Sequence, residues 1–232
     1  MNTVLLRLAG PLQSWGASSK FGRRTTEREP TKSGVIGLVA AALGRRREDN
    51  IDDLAKLKFG VRIDQAGRVM GDYHTVKSDD GKQLVNGYRY YLEDAVFLAG
   101  LYGDGMLISE IARAIVNPQF PLFLGRRSCP PAGRICLGIR ENMTLLDALK
   151  AEPWQAGNWY QRKFLKNDNV NLKIIMDADN ISYAQFTMRD MPVSFNQEHR
   201  KFTYRPREQQ YFTMPVTVHS GKHDPFIYLE DA

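Results

Sequence analysis

Cysteine is scarce in this chain: Cys129 and Cys136 are the only two among 232 residues. A disulfide framework is excluded, and neither thiol stands in the paired spacing of a structural zinc site. Histidine is also rare, with four in all. His219 and His223 sit at helical spacing in HSGKH, but a glycine intervenes, so no metal site is expected there. Long apolar runs are missing too. The longest, Val35–Leu43, falls well short of the roughly 20 residues that cross a bilayer. The opening MNTVLLRLAG carries Arg7 and no signal-peptide cleavage pattern, so the expectation is a cytoplasmic protein with no membrane partner. Neither a paired-carboxylate metal motif nor a Ser–His–Asp order stands out. No cofactor is expected.

What is abundant is base, and its distribution matters more than its total. The formal net charge is +6. Residues 20–47 hold eight bases (Lys20, Arg23, Arg24, Arg28, Lys32, Arg45, Arg46 and Arg47) against Glu27 and Glu29, so this stretch alone carries the whole surplus. A smaller excess follows in HRKFTYRPR (199–207), which has no acid. Clustered base of this kind suits a polyanion, although a solvated face has the same composition.

The hydrophobic pattern supplies a scaffold. Thr3–Leu8 reads as a buried strand, and Gly34–Leu43 as a helix apolar on every side, capped by Thr31 or Ser33 and stopped by Gly44. Phe59, Val61 and Ile63 alternate with Gly60, Arg62 and Asp64, which predicts a half-buried strand. Tyr91–Leu101 is a further strand, Met106–Val116 an amphipathic helix ended by Asn117-Pro118, and Ile135–Ile139 a last short strand. This βαββαβ order is the ferredoxin-like plan shared by RNA-recognition domains, in an α+β protein. The polar segment Gln65–Tyr90 between the second and third strands is expected to project as a β-hairpin. Residues 1–140 form the main unit, with the insertion at about 65–90. Residues 141–232 form a smaller β-rich part, including a short Thr144-capped helix and strands at Leu172–Asp177 and Phe212–His219.

Four groups of residues carry candidate chemistry. Thr31, Lys32 and Ser33 offer a helix start, with free N–H groups and a base, to an anion; a capped structural helix explains them equally. It is not a Walker loop, because Gly34 follows the lysine instead of preceding it. Arg126, Arg127 and Ser128 lie between PLFL and a Pro-Pro turn, which favours bidentate phosphate contact over a free surface pair. Trp15, in PLQSWG, either stacks on an unpaired base or folds into the core. Tyr73, His74 and Lys77 hold the residue types of a metal-independent ribonuclease, yet Tyr73 and His74 would face opposite sides of a strand. The RNP aromatic sequences of RNA-recognition domains are not visible.

Taken in order, LRLAGPLQSWG, PTKSGVIGLVAAALG, GDYHTV and LGRRSCPP resemble the CasD family of type I-E CRISPR Cascade subunits, over roughly residues 4–131. The resemblance implies a palm with an inserted thumb. It also implies a non-catalytic subunit that grips the 5′ handle of the CRISPR RNA and caps one end of the backbone assembly, touching the large subunit and the first backbone subunit. Contact with target DNA inside the complex stays open. On that pattern the RNA-binding residues would be Gln13, Trp15, Arg23, Arg24, Arg28, Thr31, Lys32, Ser33, Tyr73, His74, Arg126, Arg127 and Ser128. In the related type I-C branch the subunit itself cuts precursor RNA with a Tyr, Lys and His set. The alternative function here is therefore an endoribonuclease using Tyr73, His74 and Lys77.

Overall fold

The computed structural model describes residues 1–17, 23–81, 83–164, 166–178 and 184–216. Among these, the apolar opening forms β1 (Asn2–Ala9), followed by two short strands, β2 (Leu12–Gln13) and β3 (Arg23–Arg24). Then come α1 (Lys32–Ala42), α2 (Asp52–Ala55), β4 (Lys58–Gln65), β5 (Arg68–Lys77), β6 (Gln83–Glu93), β7 (Val96–Gly103) and α3 (Gly105–Val116). After these follow β8 (Cys136–Glu141), α4 (Leu145–Ala151), α5 (Asn158–Gln161), β9 (Asn169–Asp177), β10 (Phe186–Ser194) and β11 (Lys201–Pro215). His219 and His223, and the last residues of the strand expected over 212–219, lie outside the described residues.

A seven-stranded sheet runs β10-β11-β9-β4-β7-β1-β8, and all its pairings are antiparallel. β1 is buried on both faces, which is why its sequence reads as an apolar run. Val4, Leu6 and Leu8 point into a core shared with α1 and α3, while Leu5 points the other way, toward Leu145 and Leu149 of α4. The α4 leucines fit because Gly60 and Gly100 oppose each other in register beneath them. A Cβ on Gly100 would meet Leu145 Cδ1 at 2.6 Å. The C-terminal strands β9, β11 and β10 continue the same sheet beyond β4, edge to edge.

Local chemistry fixes the helices. Thr31 Oγ1 caps α1 by accepting from the Gly34 N–H at 3.2 Å, and Gly44 stops it at φ +77°. α1 is apolar all round because it is covered all round, by the sheet, α3 and β10, with Phe195 against Gly37. Asp104 caps α3 through the Met106 and Leu107 N–H groups. Thr144 caps α4 through the Asp147 N–H at 3.2 Å, as the sequence predicts.

Two strand expectations change. β4 is not half-buried: Arg62 is 0% exposed and Asp64 1%. They pair with each other at 2.6 Å, and the Arg62 guanidinium donates to the carbonyls of Leu149, Glu152 and Pro153, closing the C-terminus of α4 with positive charge. The strand expected over 91–101 is also two strands. Asp94 takes a left-handed φ of +53° between them, and its N–H turns to Pro11 O. β6 thereby leaves the main sheet to pair with β5, and the hairpin β5–β6 occupies the predicted insertion. A second sheet forms on it, with β2 and β3 along the other side of β6. No helix among the described residues is long and apolar enough to cross a membrane.

Candidate nucleic-acid interface

The loop after β1 is organised around Trp15, which is wholly buried. Its indole N–H donates to Gln13 Oε1 at 3.0 Å, while the Gln13 amide donates to Leu8 O and Ala95 O. The ring fills the space between Gly34, at the start of α1, and Gly125, in the Arg126-Arg127 loop. Gly125 has φ +83°, and a Cβ there would sit 1.8 Å from Ser14 O. Three hydrogen bonds close the packing: Trp15 N–H to the Thr26 hydroxyl Oγ1, and, between main chains, Glu27 N–H to Trp15 O and Ser14 N–H to Leu124 O. The helix start and both arginine-bearing loops therefore meet around one indole.

At the helix start the side chains turn inward. Thr31 is 1% exposed, Lys32 2% and Ser33 9%. Lys32 Nζ lies 3.0 Å from Asp177, and its backbone N–H donates to Asp190 Oδ2 at 2.8 Å. Arg205 completes the group, bound to Asp190 and Asp177 and lying 5.4 Å over the Phe59 ring. The anion that a helix N-terminus favours is thus supplied by the protein's own Asp190. Burial lowers the Lys32 pKa, with Asp177 opposing the shift. Farther along, Arg207 pairs with Glu29 at 3.1 Å, and burial with Glu29 alongside raises Glu27 above the usual carboxylate range. The basic stretch 199–207 is in this way partly spent inside the fold. Gln13, Trp15, Thr31 and Lys32 are engaged by the protein's own groups, and Ser33 is buried beside them.

The remaining candidates gather on the hairpin side. Arg126, half-buried, donates to Tyr90 O at 3.2 Å and to Arg24 O at 3.0 Å, and its guanidinium lies 4.8 Å over the Tyr91 ring. It braces β3 and β6 together. Arg24, Arg28, Arg127 and Ser128 are exposed around that brace. β3 runs parallel to β6 with Arg24 in register with Arg89, and β5 sets Asp72 opposite Arg89 from the other side. Arg23 sits in β3, in register with Tyr88. His74 Nε2 lies against the Asp72 carboxylate, and Lys77 is exposed at the end of β5. Tyr73 and His74 occupy opposite faces of β5, as alternation requires.

One feature that sequence reading missed is a tyrosine ladder. Tyr73 packs on Tyr88 at 5.0 Å, and Tyr88 stacks on Tyr90 at 6.4 Å; Tyr73 and Tyr88 are each 49% exposed. A shallow pocket of about 280 Å³, lined by Thr25, Thr26, Val69 and Tyr90, adjoins it. The signal was present in NGYRYY (86–91), where the aromatics at 88 and 90 share a strand face.

This α+β fold is shared with solved CRISPR-associated proteins. The chain belongs to the Cas5 family of these: it matches "CRISPR-associated protein (Cas_Cas5)" over residues 3–208, well beyond the blocks that first carried the resemblance. It is 37% identical over 156 residues to "CRISPR system Cascade subunit CasD" of Escherichia coli (strain K12), covering 58% of this chain and 70% of that one. Among solved structures, "Crystal structure of Cas protein" aligns with a TM-score of 0.70 at 37% identity, over 90% of this chain and 94% of the other. A chain of "CRISPR RNA-guided surveillance complex" aligns with a TM-score of 0.76 at 30% identity, over 95% of each.

Proposed function

We propose that this chain is the CRISPR RNA-binding subunit of a Cascade surveillance complex, gripping the 5′ handle and capping one end of the backbone assembly beside the large subunit. Likeness to CasD and to a chain of an RNA-guided surveillance complex supports the partners. The observation that carries the site is the convergence of residues 23–28 and 125–128, joined by the Arg126 bond to Arg24 O at 3.0 Å, beside the tyrosine ladder. Exposed Arg24, Arg28 and Arg127 hold phosphates. Tyr73, Tyr88 and His74 meet bases, which phosphate contacts cannot read. The underlying unit is a ferredoxin-like palm at residues 1–140, with the hairpin as thumb and residues 141–232 as the smaller part. The strand order β8-β1-β7-β4, with α1 and α3 sharing one core, supports this plan.

Binding of handle RNA should fall steeply with salt. In the Arg127→Ala variant the slope of log K against log salt becomes shallower by about 0.7, the value of one single-strand phosphate. Thermal stability stays unchanged, because the side chain is exposed. Arg126→Ala removes the brace between the two loops, so the phosphate contacts of Arg24 and Arg127 are displaced and the slope falls there too. A salt titration of both variants by fluorescence anisotropy checks this, and slopes equal to wild type in both would remove the site.

The chain acts here without cutting. Tyr73 and His74 point away from each other across β5, and His74 is turned to Asp72, which supports this reading. Repeat RNA incubated with the protein in EDTA is expected to stay intact. Cleavage that disappears in His74→Ala would instead establish the metal-independent endoribonuclease.

A further inference from the structure

Residues 153–167 read PWQAGNWYQRKFLKN: four aromatic and three basic side chains, with no acid. This segment is firmly anchored. Trp154 donates its indole N–H to Asp64 O at 2.8 Å, Gln155 N–H donates to Asp64 Oδ2 at 2.7 Å, and Gly157 N–H donates to Gln65 Oε1 at 3.1 Å. Trp154 then packs edge to face on Tyr160 and Phe164, which tilt against each other, with centroids 5.4–6.2 Å apart. Trp159 does not join that cluster's interior. It is 52% exposed, and Lys163 Nζ lies 4.6 Å from its ring centre, with Arg162 exposed next to it. The exposed indole is therefore not a loose tip; it is held out on a pinned turn, edge to face with Tyr160 at 5.7 Å and with the Lys163 ammonium over its ring.

We infer that this turn is a second nucleic-acid contact, in which Trp159 stacks on one unpaired base while Arg162 and Lys163 hold the adjoining phosphates. The chemistry decides between partners. An acidic protein surface would satisfy the bases and would need a separate apolar pocket for the indole, whereas an unpaired nucleotide supplies a π-face and an anion in one ligand. Position agrees. Gln65, which anchors Gly157, also donates to Asp94 O where the β5–β6 hairpin leaves the sheet. The turn therefore stands at the same end of the sheet as the arginine loops, on the α4 side, where a strand leaving the first site can reach it. RNA and single-stranded DNA both supply such a nucleotide, since stacking and phosphate contact do not distinguish them.

The test uses the full chain with short oligo(U) RNA and oligo(dT) DNA, following tryptophan fluorescence at low salt. Trp15 is buried and Trp154 is engaged inward, so quenching on binding is expected to come mainly from Trp159 and to be largely lost in Trp159→Phe. Trp159→Ala is expected to weaken binding by on the order of tenfold, with an unchanged melting temperature. Quenching by RNA alone assigns the site to RNA, and quenching by both leaves it general to single strands; either supports the inference. Quenching that is absent with both oligonucleotides, or unaltered in Trp159→Phe, overturns it. A Trp159 signal seen only when a protein partner is added without nucleic acid also overturns it, in favour of a protein contact. Loss of handle binding in Arg127→Ala with Trp159 quenching retained separates this site from the first.

Discussion

Replacing Asp190 with alanine destabilises the protein by about 3–5 kcal/mol, the cost of leaving buried charge without its partner. Asp190 is 0% exposed and has two tasks. It accepts from the Lys32 N–H at the start of α1, and it holds the Arg205 guanidinium through both carboxylate oxygens, at 2.9 and 2.7 Å. Without it, two cations, Lys32 and Arg205, share the single carboxylate of Asp177, and the first turn of α1 loses its anion. Asp190→Asn keeps an accepting oxygen for the Lys32 N–H and loses the charge and the second acceptor, the one that holds Arg205 Nε, so its loss is smaller than that of alanine. Urea denaturation checks both. With a total stability of about 5–15 kcal/mol typical of a domain, the alanine variant would stand near the edge of folding. A midpoint unchanged by Asp190→Ala would show that the ion cluster is not what joins α1 to the C-terminal strands.

Trp15→Ala carries a comparable effect, about 3–5 kcal/mol, from a different cause. The indole is 0% exposed and is the filler between Gly34 and Gly125, so its removal opens a cavity where the helix start and both basic loops meet. Handle-RNA affinity falls with it, as a consequence of the loops losing their support. Trp15→Phe separates packing from stacking. Phenylalanine retains an aromatic face but loses the bond to Gln13 Oε1 and part of the volume, so intermediate stability with near-normal RNA affinity is expected. If Trp15→Ala lowered affinity while leaving the denaturation midpoint in place, the residue would be a base-stacking platform and its burial here would be irrelevant to function.

Much of the scaffold was legible because its signals are local. The Thr144 cap, the Gly44 stop and the polar insertion at 65–90 each announce themselves within a few residues. Lys32 shows what local reading misses. A lysine at a capped helix start beside arginines has the composition of a phosphate site, but its partners, Asp177, Asp190 and Arg205, lie 145 or more residues away and leave no trace near it. Arg62 and Asp64 misled for the same reason: alternation predicts a solvent face, and only the distant α4, which needs its carbonyls closed, makes that face interior. The tyrosine ladder was the opposite case. Its spacing was visible in YRYY, but its meaning depended on knowing that β6 leaves the main sheet at Asp94.

The most direct measurement of the central claim is a crosslinking map of photoreactive handle RNA on the full chain, read out by peptide mass spectrometry. The account predicts crosslinks in residues 23–28, in residues 125–128 and on the exposed face of Tyr73 and Tyr88, with none to Lys32 or Trp15. Crosslinks concentrated on Lys32 and Trp15, or falling on α3 and away from the hairpin altogether, would contradict it.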